Sequence, residues 1–113
     1  MPYNLIVTPQ ALEGLDAVKF DFWLGKMSNP LVADRIHNWF WDIALPKIAQ
    51  NPFSCGEPWD NLPVLAKAGY RRVLYNDYYI AVLYRIYSND DVVVDYVYDQ
   101  RQKKVSRKGR LLK

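Results

Sequence analysis

The chain of 113 residues has one cysteine, Cys55, and one histidine, His37. A single thiol closes no disulfide within the chain and cannot supply the sulfur sets of structural metal sites. A single imidazole with no neighbouring cysteine or paired acids reads as a surface or packed helix residue rather than a catalyst or metal ligand. Charges break every apolar run after a few residues, so no segment is expected to span a bilayer. The opening Met1-Pro2-Tyr3-Asn4 has neither the basic flank nor the apolar stretch of a secretory signal, and a cytoplasmic setting is expected. Internal repeats and low-complexity segments are absent, as is any Ser- or Cys-based nucleophile arrangement. No metal, cofactor or membrane partner is expected, and Cys55 reads as a neutral filler.

What the sequence has is apolar mass and an uneven distribution of charge. Half of the residues are hydrophobic and 15% are aromatic, enough for one core and too much for a disordered chain. Residues 1–99 carry eight Lys/Arg against twelve Asp/Glu, a net −4, whereas residues 100–113 carry seven Lys/Arg and no acid. The sequence therefore divides into a domain over 1–99 and a basic C-terminal tail over 100–113. Such a split marks either a solvated terminus or a tail that binds an anionic partner, nucleic acid among them.

Local signals predict an α+β domain. Residues 4–8 form a short β-type run, and Thr8-Pro9 starts a helix with a capping hydroxyl and proline in the first turn. Ala11, Leu15, Val18 and Phe22 then recur at helical spacing. Ser28 or Asn29 caps a second helix that begins at Pro30, with Val32, Ile36, Trp39, Phe40 and Ile43 as its apolar face. Pro46 predicts a kink or restart near residues 44–46. Residues 51–69 read as one irregular connection. Tyr70–Tyr75, Tyr79–Tyr87 and Asp91–Tyr98 read as strands, separated by Asn76-Asp77 and Ser88-Asn89-Asp90; connections this short force antiparallel neighbours. The order is an N-terminal strand, a helical hairpin and a three-stranded antiparallel meander, β-α-α-β-β-β. In the last strand Val92, Val94, Tyr96 and Tyr98 alternate on one face, which places Asp95 on the wet one.

This order, with the residues at its joints, resembles the RelE/ParE superfamily of toxins from bacterial type II toxin–antitoxin systems. The similarity runs over about residues 4–104. It is carried by Val7-Thr8-Pro9-Gln10-Ala11, Asn29-Pro30, Ala33-Asp34-Arg35-Ile36, Asn51-Pro52, Gly56-Glu57-Pro58, Tyr70-Arg71-Arg72-Val73-Leu74, Val82-Leu83-Tyr84-Arg85-Ile86 and Asp91-Val92-Val93-Val94 through Gln100-Arg101-Gln102. The resemblance implies a growth-inhibiting toxin with a cognate antitoxin wrapped over its surface. Its target would be DNA gyrase in ParE-like members, or the ribosome in RelE-like members, which cut mRNA there with basic residues and a tyrosine.

Cleavage through the 2′-hydroxyl needs a base, cations for the phosphorane and a proton donor. Arg71, Arg72, Arg85 and Arg101 are the candidate cations if the chain is a ribosome-dependent endonuclease. The arginine that RelE-like enzymes carry just after the start of the hallmark strand falls at Ala81, and no tyrosine follows Tyr98. The ParE-like branch, without enzymatic activity, is therefore the favoured expectation. Tail residues Arg101, Lys103, Lys104, Arg107, Lys108 and Arg110 are then the candidates for target binding. A non-toxic nucleic-acid-binding module is the third alternative. The nine tyrosines could stack on bases, but eight of them lie between residues 70 and 98, where tyrosine is favoured by the strands themselves. Trp39-Phe40-Trp41 cannot all face inward, since neighbours on a helix differ by about 100°. Trp39 and Phe40 fit the inner stripe and Trp41 does not. Trp39 and Trp41 are the candidates for antitoxin binding, with burial against the following loop as the alternative.

Overall fold

The computed structural model describes residues 3–24, 29–58, 69–88 and 90–100. Strand β1 (Asn4–Val7) leads into helix α1 (Pro9–Leu24), and α2 (Pro30–Asn38) runs back beside it. Both starts follow the local signals. The Thr8 hydroxyl accepts from the Ala11 N–H at 3.2 Å, and of the two candidate caps for α2 it is Asn29 that accepts, from the Leu31 N–H at 3.2 Å. Each such cap contributes about 1 kcal/mol. The α1 stripe Ala11, Leu15, Val18 and Phe22 is buried.

Pro46 reshapes the second helix earlier than its own position. Residues Trp39–Ala44 form a π-helical turn, closed by the Leu45 N–H bonding to the Phe40 carbonyl, before α3 (Leu45–Gln50) resumes. Proline offers no N–H and crowds the carbonyl four residues back, and the wider turn relieves that crowding. The wider turn also changes which residues face inward. Ala44, Leu45 and Ile48 are buried, while Ile43, expected on the apolar face, is 55% exposed.

Three antiparallel strands follow, β3 (Arg71–Tyr75), β4 (Ile80–Ile86) and β5 (Asp91–Asp99). The 51–69 connection is not wholly irregular. It contains a single helical turn, α4 (Pro52–Cys55), and a two-residue strand, β2 (Glu57–Pro58), that pairs with Arg71 and Arg72. An edge position suits Pro58, which has no N–H to give a further neighbour. The β3–β4 turn spans residues 76–79 and holds Tyr79 at φ 58°, so β4 starts one residue later than its tyrosine suggested.

The sheet order is β1-β5-β4-β3-β2, with β1 parallel to β5 and the other pairs antiparallel. The helices cover the face that carries Val73, Ile80, Val82, Tyr84, Val92, Val94 and Val97. The inward set in β5 steps from Val94 to Val97 because Asp95 is an extra residue. Leu83 pairs with Tyr96 but Tyr84 pairs with Val94, which is a β-bulge. Tyr96 and Tyr98 thereby move to the face opposite Val92 and Val94. Asp95 itself is 7% exposed, not on a wet surface.

Candidate functional site

Two surfaces carry the chemistry of this domain, the outer side of the helical hairpin and the sheet face turned away from it. On the hairpin, the buried α1 stripe leaves Phe20 and Trp23 pointing outward, more than half exposed. A groove of about 410 Å³ between α1 and α2 is lined by these two rings, by Ala33, and by Asp16, Lys19, Asp34 and His37. The Lys19 ammonium lies 2.8 Å from His37 Nδ1 and 3.7 Å from the Asp16 carboxylate. An ammonium can only donate, so Nδ1 of His37 is the acceptor in this contact. The Trp41 ring lies against His37 at 6.3 Å and is 40% exposed. Trp39, by contrast, is 8% exposed and stacks on Tyr75 at 4.8 Å. Of the two tryptophans expected to meet an antitoxin, Trp39 serves the core and Trp41 reaches the surface.

The arginines of β3 and β4 do not converge. Successive residues of a strand face opposite sides, and Arg71 and Arg72 do so. Arg71 lies on the helix side, where its Nη2 donates to the Gly56 carbonyl at 2.6 Å. There it joins the buried Tyr84, whose hydroxyl donates to the Pro52 carbonyl at 2.6 Å and accepts from the Gly56 N–H at 3.1 Å. A side chain at Gly56 would collide with the Arg72 carbonyl, its Cβ only 2.7 Å away, so glycine lets the α4–β2 connection seat on this network. Arg72 lies on the far side and donates from Nη1 to the Gln100 side chain at 2.6 Å.

Arg85 shares that far face, but it belongs to a different cluster. Its Nε is 3.6 Å from Asp95 Oδ2, and its guanidinium sits over the rings of Tyr70 and Tyr87 at 5.8 and 5.6 Å. The Tyr70 hydroxyl donates to the same Asp95 oxygen at 2.5 Å, and Gln10, in the first turn of α1, donates to the other at 3.5 Å. The bulge therefore turns Asp95 into an anchor that neutralises Arg85.

The phenols of this region are held protonated. Burial, followed by the bond to Asp95, pushes Tyr70 far above its ordinary range. Burial alone takes Tyr98 up to about 12, with Arg72 opposing, and raises Tyr84 and Tyr96. None of these tyrosines is a base near neutral pH, an arginine cannot be one, and His37 lies on the hairpin groove. Cys55 is half-buried, and burial raises its thiol. Among the described residues no group of three or more His, Cys, Asp or Glu could hold a metal ion, and no helix is long and apolar enough to cross a membrane.

Arg101, Lys103, Lys104, Arg107, Lys108 and Arg110 lie outside the described residues. The hairpin groove and the Asp95 cluster were not anticipated from the sequence. Phe20 and Trp23, two aromatics off the buried α1 stripe, are the signal that could have found the groove.

No protein-family model and no curated protein matches the sequence. Solved structures do match its fold. One is a chain of the chromosomal ParDE toxin–antitoxin system from P. aeruginosa, with a TM-score of 0.65 at 15% identity, covering 86% of this chain and 95% of that one. Another is a chain of the toxin–antitoxin complex RelBE2 from Mycobacterium tuberculosis, with a TM-score of 0.56 at 19% identity, covering 88% of this chain and 92% of that one. The chain has the RelE/ParE-type α+β fold.

Proposed function

We propose that the protein is the toxin of a type II toxin–antitoxin pair and that it acts on DNA gyrase without cutting RNA. The observation that carries the second half is the scattering of the described candidate arginines, Arg71, Arg72 and Arg85. A cleavage site needs cations gathered around one phosphate together with a base and an acid. Here Arg71 and Arg72 face opposite sides of the sheet, Arg85 is tied to Asp95, and Ala81 stands where the RNA-cleaving relatives carry an arginine. The first half rests on the fold shared with chains of ParDE and RelBE2 complexes.

In this reading the domain over residues 1–99 is the scaffold, and the cations of residues 100–113 engage the target. Binding to phosphates through the tail weakens steeply as salt rises, because each neutralised phosphate releases counterions. An antitoxin segment lies over the hairpin, against Trp41 and the groove beside it. Exposed aromatic clusters of this kind are common at protein interfaces.

Induced expression in a bacterial host tests the proposal. Growth arrest relieved by co-expression of the adjacent small open reading frame is the expected result. Unimpaired growth with soluble protein present would leave a non-toxic nucleic-acid-binding module as the better reading.

One contact favours ribosome-dependent mRNA cleavage as the second reading. Arg72, one of the four candidate cations, is bonded to Gln100 at the exit from β5, and Arg101 is the next residue in the sequence. Site-specific cuts by primer extension on programmed ribosomes, lost in Arg72→Ala, would promote it.

A further inference from the structure

The outer edge of β1 has a pattern that matches itself. In the parallel β1–β5 ladder the N–H groups of Asn4 and Thr8 point inward, to the carbonyls of Asp90 and Val94 at 2.8 and 3.0 Å. Alternation turns the N–H and C=O of Leu5 and Val7 outward, where no described residue bonds to them. The open row is short at both ends. The Tyr3 N–H is already taken by the Ala49 carbonyl at 2.7 Å, and Pro9 has no N–H. The two donors and two acceptors of Leu5 and Val7 are placed symmetrically about Ile6, whose side chain is 42% exposed. Natural edge strands are commonly blunted by lysine, proline or a bulge, and the sequence Asn-Leu-Ile-Val of β1 has none of these.

We propose that β1 pairs with β1 of a second copy of this chain, antiparallel, about a two-fold axis through Ile6. Leu5 then faces Val7 of the other copy and Val7 faces Leu5, closing four N–H···O bonds. Slipping the register by two residues in one direction sets Pro9 opposite Leu5, and in the other sets the satisfied N–H of Tyr3 opposite Val7. The first slip loses bonds, the second sets Asn4 of the other copy opposite Ile6 and separates the two isoleucines, and a slip by one residue brings inward-pointing groups to the edge. In the symmetric register Ile6 meets Ile6 of the other copy as a non-hydrogen-bonded pair, the closer of the two antiparallel spacings. No charged side chain lies in the strand to oppose the approach. Phe53, 60% exposed and edge-on to Tyr3 at 6.3 Å, stands at the start of β1 and extends the contact toward the other copy's Pro9. A strand from an unrelated protein could use the same donors and acceptors, but only a second copy brings the matching Ile6. This inference is independent of the toxin reading.

Sedimentation equilibrium of the full chain, made by cell-free synthesis, tests it from micromolar to sub-millimolar concentration. The expected result is a monomer–dimer equilibrium. Ile6→Lys and Ile6→Glu, each placing like charges across the axis, should weaken it by about tenfold or more with the circular dichroism spectrum unchanged. An equimolar mixture of the two variants should recover dimer, because opposite charges then face each other. A monomeric wild-type chain, a dimer indifferent to both substitutions, or a mixture that stays monomeric would each overturn the proposal.

Discussion

Replacing Gly14 by alanine should destabilise the protein, although alanine is the better helix former. Gly14 lies where α1 rests on the sheet. A Cβ built there would sit 2.2 Å from the Val97 carbonyl oxygen and 3.2 and 3.3 Å from its carbon and nitrogen. All three are backbone atoms of β5, held at this point by pairing with Val82 of β4, so none can rotate away as a side chain tip would. Reaching ordinary contact requires α1 to lift by about 1 Å, which opens gaps beneath Ala11, Leu15 and Val18. Overpacking of this kind costs about 1–3 kcal/mol or more, against a gain of up to about 1 kcal/mol in helix propensity. A net loss of about 1–2 kcal/mol follows, a fall of about 5–10 °C in Tm for a domain of this size. Urea unfolding followed by tryptophan fluorescence measures it. Gly69 supplies the contrast, with φ +82° and nothing within 4 Å. Gly69→Ala meets only backbone strain, about 1 kcal/mol. If Gly14→Ala matched or exceeded the wild type in stability, the helix could not be seated on Val97 in this way.

Other consequences can be checked with the same material. Asp95→Ala strands Arg85 and the Tyr70 hydroxyl on the far face, and a loss of about 2–4 kcal/mol in urea unfolding is expected; an unchanged midpoint would mean the cluster contributes nothing. The buried phenols keep their protons in the fold after the unfolded chain has lost them. Stability is therefore fully present below pH 10 and drains away as pH rises from 10 through about 12, where Tyr98 titrates. Ultraviolet titration should show part of the tyrosine signal delayed until unfolding, and a single ordinary transition would contradict it. Deleting residues 103–113 should leave Tm nearly unchanged while reducing toxicity and flattening the salt dependence of target binding. Full toxicity from the truncated chain would move target recognition to the sheet.

The features readable from the sequence were those that depend on near neighbours. Thr8-Pro9 and Asn29-Pro30 announce helix starts because capping is settled within one turn. The two short polar connections similarly impose antiparallel pairing on β3, β4 and β5. Long-range features were hidden. The parallel docking of β1 on β5 joins residues nearly ninety positions apart, and β2 is too short to leave a pattern. Pro46 announced a disturbance, but the direction in which the π turn would rotate Ile43 depends on packing beneath it. The bulge at Asp95 broke the simple alternation expected for β5, because only the register against β4 reveals the extra residue. The opposite facing of Arg71 and Arg72 was available from strand periodicity alone. What each then binds, Gly56 on one side and Gln100 on the other, was not.

The proposed toxin acts through gyrase and carries no RNA-cleaving site. The most direct test incubates the purified protein in parallel with gyrase on plasmid DNA and with programmed ribosomes carrying a defined message. Blocked supercoiling with accumulation of cleaved DNA is expected, beside message that stays intact. Supercoiling at the normal rate beside a message cut at a fixed position in the decoding site would contradict the proposal.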